Sequence, residues 1–487
     1  MNWIITDNNK RICANDIPIV SLEDIKLDFE KLNLRLLGFF GKQEFDNVRL
    51  YVILADDKVG KIYITSSIFS QNIKSYQSFT QYFPSFHIFE REFYEEFGIE
   101  PINHPWLKPV RNNQDNYEFF EMKGDEVHQV AVGPIHAGVI EPGHFRFMCH
   151  GEKVYDLEIM LGYQHRGVEE LFLKEKQFNN RLAESVCGDS VIAYNMAYSQ
   201  VMENLTTTKV SNKAELIRRI ALEMERIGIH IGDMGAIAGD IAYQMGASIF
   251  GVTRTLVINT MLEISGSRFG RGLIDVGGVN FDINDKLSQR IKSVLDEVAK
   301  TVDRTTNVML KSPTVLSRLE RTGVVSTENA TAMGAVGMAA RASGVDLDSR
   351  FDFNDIWYKS LRVEKPFKAT GDVYSRFKLR YKEVKQSIQI IKKLLKKLNE
   401  FSLEQILVKT NYKLESNSFV VSIVEGWRGE LVHFALTGAN GELLRYKIKD
   451  PSFNNWYMLA MAVRNNGISD FPLCNKSFNL SYCGNDL

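Results

Sequence analysis

Histidine is scarce in this chain and unevenly spread: of nine, five (His128, His136, His144, His150 and His165) fall within 38 residues. Imidazole changes charge near neutral pH, so such a cluster suits proton transfer. Its densest part is Gly133-Pro-Ile-His136-Ala-Gly-Val-Ile-Glu141-Pro-Gly-His144-Phe-Arg146, where two prolines and three glycines shape a loop carrying His136, Glu141 and His144. The same residues also suit a polar surface turn, which is the plainer alternative. Other chemistries lack an anchor. The sequence holds no C-x-x-C, H-E-x-x-H or G-x-S-x-G, no G-x-x-x-x-G-K-[ST] and no glycine-rich dinucleotide fingerprint. Ordinary zinc, serine-hydrolase and nucleotide sites are therefore not expected.

The loop needs elements to hold it. Residues 144–150 and 151–160 read as extended runs joined at Gly151-Glu152, a small β element that would carry the loop at its start. Beyond it the pattern turns helical. Leu216, Ile220, Met224, Ile227, Ile231 and Met234 recur at spacings of three and four, with Asn212 and Glu215 placed to cap the helix start. Residues 326–341 are rich in Ala and Gly and predict one helix that lets another backbone come close. A stripe from Val373 to Leu398 predicts a long helix with lysines near its C-terminal end. Upstream, residues 48–55 and 61–66 flank Asp56-Asp57 and Gly60 as a hairpin would. The fold class expected is α+β: a small α/β domain over 1–110, a linker over 111–127, and a mainly helical domain with a small β element over 128–487.

Composition narrows the classes further. A chain of 487 residues allows roughly three domains at about 150 residues each. With 59 basic against 60 acidic residues, 44% hydrophobic and 24% charged, it is an ordinary globular composition, and no nucleic-acid partner is expected. Five scattered cysteines do not make a disulfide framework and point to a reducing compartment. The stretch 228–251 is broken by Asp233 and Asp240, so no membrane span is expected.

The motifs in order carry a resemblance. Gly133-Pro134 with Glu141-Pro-Gly-His-Phe-Arg146, Tyr163-Gln-His-Arg-Gly-Val-Glu169, Glu223-Met-Glu-Arg226 with His230-Ile-Gly-Asp233, Arg268-Phe-Gly-Arg-Gly-Leu273 with Gly277-Gly278, Ala340-Arg-Ala-Ser-Gly344, Gly371-Asp-Val-Tyr-Ser-Arg376 and Lys449-Asp-Pro-Ser-Phe-Asn-Asn-Trp456 resemble the large subunit of membrane-bound [NiFe] hydrogenases of the formate-hydrogenlyase type. They resemble equally its homologue, the quinone-site subunit of respiratory complex I. Glu90-Arg-Glu-Phe-Tyr-Glu-Glu-Phe-Gly-Ile99, with His104-Pro105 and Arg111, resembles the 30-kDa-type accessory subunit, fused here ahead of the large one.

The resemblance implies a metal site that this sequence has lost. The hydrogenases hold nickel and iron with two C-x-x-C pairs; here the first reads Cys187-Gly188-Asp-Ser190 and the second Ser481-Tyr-Cys-Gly484, with Cys483 out of register. One thiolate in four cannot hold that cluster, so no metal is expected on this chain. By the same resemblance Leu487 falls where a mature hydrogenase chain would end, so no cleaved C-terminal extension is expected. In complex I the equivalent cavity takes a quinone headgroup, held by a His in the loop, here Glu141 or His144, and by a Tyr at the position of Gly188, with Tyr194 a nearby substitute. Cys187, Gly188, Ser190, Tyr194, Ser481 and Gly484 would line that cavity, with His136 beside it. The motif His165-Arg166, with Glu169, would face the iron-sulfur cluster of a small partner subunit.

The function this implies is a peripheral-arm subunit of a membrane-bound, ion-translocating oxidoreductase at the cytoplasmic face of the inner membrane. It would have an iron-sulfur subunit and antiporter-like membrane subunits as partners, and would pass electrons to a quinone-like acceptor without a NiFe centre. The alternatives are a non-catalytic scaffold in such a complex and a true hydrogenase with atypical ligands.

Overall fold

The computed structural model describes residues 2–487 except 112–116, 139, 354, 362–364 and 366–368. In the first hundred residues an antiparallel sheet runs in the order Ile4–Thr6, Lys61–Phe69, Asn47–Asp56, Arg35–Glu44. The expected hairpin is there. Asp56 Oδ1 accepts from the Lys58 and Val59 amides, and Gly60 supplies the left-handed residue, φ +67°, that closes the turn. The helices Leu22–Leu32 and His87–Phe97, with the turn Pro84–Phe86 before the second, cover one face through Phe29, Phe86, Phe89 and Phe93.

The other face is covered by a second four-stranded sheet, Leu443–Lys449, Glu430–Thr437, Ser418–Glu425 and Ile12–Cys13. Phe40, Tyr51, Ile53 and Ile64 of the first sheet meet Phe419, Val421, Val432 and Phe434 of the second in one core. Burial on both faces explains why residues 50–55 read as an unbroken apolar run, as strands covered on both sides do. The sheet at 418–449 is not among the expected elements: its two central strands, Ser418–Glu425 and Glu430–Thr437, are buried along their length, so they lack the alternation that marks a half-exposed strand.

The expected small β element is a three-stranded sheet, Val127–Val132, His144–His150 and Lys153–Met160. The helical body comprises Val191–Leu205, Asn212–Asp240, Gln244–Ser265, Asp285–Met309 and Val373–Leu398. Three details differ from the sequence reading. The long helix is capped by Ser211, whose Oγ accepts from the Ala214 amide, one residue before Asn212; Glu215 is drawn instead into ion pairs with Arg218 and Arg219. Residues 326–341 form two short helices, Thr327–Ala332 and Gly337–Ala342, interrupted where Gly334 and Gly337 take φ +66°. The close approach expected there is real, since a Cβ on Gly337 would lie 2.2 Å from Gly429 Cα. Finally, the stretch most like a membrane span is Gln244–Ser265 rather than 228–251, and it is the only helix among the described residues long and apolar enough to cross a bilayer. Arg254 interrupts it, and Phe250, Val257, Met261 and Ile264 bury one side in the helical core.

Candidate functional site

Three segments distant in sequence meet around Cys187. The helix Asn180–Val186 ends there, leaving Cys187 to Ser190 as a tight connection to the helix Val191–Leu205; the Ser190 amide donates to the Cys187 carbonyl at 3.2 Å. The strands Ser418–Glu425 and Glu430–Thr437 are joined by a turn that projects Trp427 and Arg428. The chain's last helix, Tyr482–Asp486, is capped by Ser481, whose Oγ accepts from the Gly484 amide at 2.9 Å. Cys187 is 2% exposed.

Its sulfur donates to Asp189 Oδ1 at 3.0 Å, lies 3.2 Å from Ser481 Oγ and accepts from Arg428 Nη1 at 3.4 Å. Asp189 and Arg428 form a two-pronged ion pair at 2.6 and 2.8 Å, and the guanidinium lies 3.9 Å above the Trp427 ring. A hydrogen bond with Cys483, then burial, pushes the Cys187 thiol well above its ordinary value. Burial would raise Asp189, but Arg428 holds it below the usual carboxylate range. The cluster is therefore a neutral thiol beside a fixed ion pair.

The walls are equally constrained. Tyr194 OH donates to Asp450 Oδ2 at 2.5 Å, and burial, then that carboxylate, raises its pKa well above normal. Gly484 packs against the same carboxylate: a Cβ there would lie 2.5 Å from Asp450 Oδ2. Gly188 is the opposite case, exposed and with nothing within 4 Å of where a Cβ would stand. Beneath, Glu225 accepts from the amides of Ile192 and Ala193 at 2.7 and 3.4 Å, steadying the first turn of the Val191–Leu205 helix. Burial lifts its pKa to about 8. Behind, Glu383 accepts from Arg341 and meets His230 Nε2, at 2.8 Å each; the Arg341 charge, then the His230 bond, hold it well below the carboxylate range despite burial.

The histidine loop lies next to this cluster. A Cβ on Gly143 would lie 2.7 Å from the Tyr482 ring, so the loop rests on the residue between Ser481 and Cys483. Glu141 is close enough to Tyr482 to raise its pKa, after the larger effect of burial. His136 braces the loop through a 2.8 Å bond between Nε2 and the Gly143 carbonyl. The His144 ring sits 5.0 Å from Phe119 of the segment after residue 116, which lies as a strap: Tyr117 OH and the Phe120 amide both donate to Glu158. His144 Nδ1 reaches the Gly133 carbonyl at 3.2 Å, whereas Nε2 is buried without a partner. Burial lowers its pKa.

The structure thus gathers Cys187, Ser190, Ser481 and Gly484, with Tyr194 behind them and Glu141 near Tyr482, while His144 faces the strap. His165 and Arg166 are exposed on the turn that holds the end of the chain: His165 Nδ1 meets the Asp486 carbonyl at 2.8 Å and the Arg166 amide donates to the Leu487 carbonyl at 2.7 Å. Glu169 points inward to Lys447 and the Ile448 amide. The sequence reading passed over Asp189, Arg428, Asp450 and Glu225. Asp189 stands between two positions it did weigh, but only the strand turn at 426–429 brings Arg428 to it. Among the described residues no group of three or more His, Cys, Asp and Glu is arranged to hold a metal.

Comparison with known proteins gives a family for this arrangement. Residues 240–486 match the family described as "Respiratory-chain NADH dehydrogenase, 49 Kd subunit", and residues 37–125 match the corresponding 30 Kd subunit. Formate hydrogenlyase subunit 5 of Escherichia coli (strain K12) is 28% identical over 90% of this chain and 81% of its own length. Membrane-bound hydrogenase subunit alpha of Pyrococcus furiosus is 31% identical over 70% and 83%. A chain in the structure of the membrane-bound sulfane sulfur reductase, an archaeal respiratory membrane complex, shares the fold with a TM-score of 0.68, at 21% identity over 74% of this chain and 99% of that one.

Proposed function

Because the chain belongs to the family of the respiratory-chain NADH dehydrogenase 49 Kd subunit and the hydrogenase large subunits, and is an oxidoreductase subunit of a membrane-bound respiratory complex, we propose that it passes electrons from a partner iron-sulfur subunit to a quinone-like acceptor, without a NiFe centre. The observation that carries the second half is the closure around Gly484. At the position of a hydrogenase ligand, a side chain would run into the Asp450 carboxylate, and Ser481 Oγ is engaged in capping the last helix. With Cys187 alone as a thiol in register, the residues do not fit four-thiolate ligation.

They fit an oxygen-bearing headgroup better. Such a headgroup, when bound, takes up two electrons and two protons. Two groups of the histidine loop are suited to proton transfer there: Glu141, near Tyr482, and His144, whose neutral ring bonds the Gly133 carbonyl through Nδ1 and so offers its unpartnered Nε2 as a proton acceptor. Gly188 leaves the entry side open. The exposed His165 and Arg166 supply cationic and polar groups for the iron-sulfur subunit, and antiporter-like subunits would seat the complex on the membrane.

The test is the assembled complex carrying Glu141→Gln and His144→Ala, assayed for reduction of a soluble quinone analogue. The double variant is expected to lose at least about a hundredfold in rate, the low end of what a proton donor contributes. Unchanged electron transfer and ion pumping would overturn the proposal in favour of a scaffold.

A further inference from the structure

A pair of cysteines meets in the cluster described above, and neither the family resemblance nor the proposed electron acceptor uses it. Cys187 and Cys483 are 296 positions apart in the sequence, yet Ser481 Oγ touches both sulfurs, at 3.2 Å from Cys187 and 3.5 Å from Cys483. One hydroxyl therefore bridges the two thiols. The remaining cysteines have no such neighbour: Cys13 is exposed on an edge strand, Cys149 is buried in the three-stranded sheet, and Cys474 packs near Arg376.

We propose that Cys187 and Cys483 form a redox-active thiol pair that closes to a disulfide when a small-molecule disulfide reaches Cys483. The environments of the two sulfurs divide the roles. Cys483 is partly exposed, on the first turn of the last helix, and is the sulfur a solute meets first. Cys187 is enclosed, with its proton already directed at Asp189 Oδ1, 3.0 Å away, and the Arg428 guanidinium 3.4 Å from its sulfur. The Arg428 cation beside the sulfur is the group that would stabilise the thiolate as the resolving attack develops.

With glutathione disulfide as the reactant the steps balance. The Cys483 thiolate attacks one sulfur of the reactant, the S–S bond breaks, and one glutathione leaves and takes a proton. Cys187 then attacks the Cys483 sulfur, and its proton goes to the second departing glutathione thiolate. Two protein thiols and one glutathione disulfide become one protein disulfide and two glutathione thiols. Two electrons leave the protein with them. Closure would tie the end of the Asn180–Val186 helix covalently to the Tyr482–Asp486 helix.

The experiment treats the intact complex with glutathione disulfide, blocks residual thiols with N-ethylmaleimide under denaturing conditions, and maps all five cysteines by mass spectrometry. The expected result is a crosslinked Cys187/Cys483 peptide pair, short of two hydrogens, that dithiothreitol separates, with Cys149 and Cys474 still alkylated. Cys483→Ser should leave Cys187 fully alkylated. A Cys483 that keeps its glutathione while Cys187 stays free, alkylation of both thiols, or a crosslink to any other cysteine would overturn the pairing. The readout is a sulfur mass, so its failure is distinct from a failure of quinone reduction.

Discussion

Glu225 gives a quantitative check on how the floor of the site is held. Its carboxyl accepts only backbone amides in the first turn of the Val191–Leu205 helix, and burial moves its pKa from 4.5 to about 8. Between those values the folded protein keeps a proton that the unfolded chain has released. Stability from this group is therefore complete below about pH 4.5 and falls as pH rises towards 8, by at most about 1.4 kcal/mol per pH unit. Integrated from pH 6 to pH 8, the loss is about 2 kcal/mol at full strength. The side chain keeps some contact with solvent, so about half of that is the expected size. Glutamine keeps the shorter of the two bonds, from the Ile192 amide, through its single oxygen and cannot titrate. Urea unfolding of the purified protein and of Glu225→Gln at both pH values isolates the effect: the wild type should lose about 1 kcal/mol more than the variant on going to pH 8. Equal losses would refute the argument, and a greater loss in the variant would reverse its sign.

Two further perturbations test other parts of the structure. Gly188→Tyr places a phenol in open space at the one position where the complex I resemblance expects it; in the complex it should lower the apparent KM for a quinone analogue about fivefold, the worth of one net hydrogen bond of about 1 kcal/mol, and an unchanged KM would count against a headgroup near Gly188. Glu430→Ala removes the acceptor for Arg35 at 2.7 Å and Lys449 at 2.7 Å in a site where Glu430 is only 3% exposed, so chemical denaturation should show a loss of about 3–5 kcal/mol, as when one partner of a buried ion pair is deleted. Arg35, then Lys449, holds the Glu430 carboxyl far below its usual range in spite of burial. The stabilisation is thus present at neutral pH and is lost only as the solution becomes strongly acid.

What could be read in advance follows from the range of each signal. The hairpin around Asp56 and Gly60, the strands on either side of Gly151 and the helices about Ile220 and Ile388 are set by neighbours a few residues away, and sequence pattern reports them. Cys187, Ser481 and Gly484 were placed together by motif resemblance. The Asp189–Arg428 pair was not, because it depends on where a strand turn at residues 426–429 lands, and spacing along the chain carries no trace of that. The same holds for Asp450, which reads as a helix cap, and is one through Ser452, yet its other oxygen closes the wall between Tyr194 and Gly484. His144 shows the converse: its motif was legible, but the strap residue Phe119 that packs against its ring was not.

The pairing of Ile12–Cys13 with Ser418–Phe419 has a consequence for synthesis. Asn8 Nδ2 donates to the Ile423 carbonyl and the Asn9 amide to the Val421 carbonyl, contacts more than 400 residues apart in sequence. Closing a loop of that length costs about 5 kcal/mol of chain entropy before any contact is made. On the ribosome, the first sheet is finished long before its partner exists, so Phe40, Tyr51, Ile53 and Ile64 present a bare apolar face throughout most of translation. A slow final step and a need for protection against aggregation follow. The amino-terminal unit, though fused at the front, is among the last parts of the molecule to be completed.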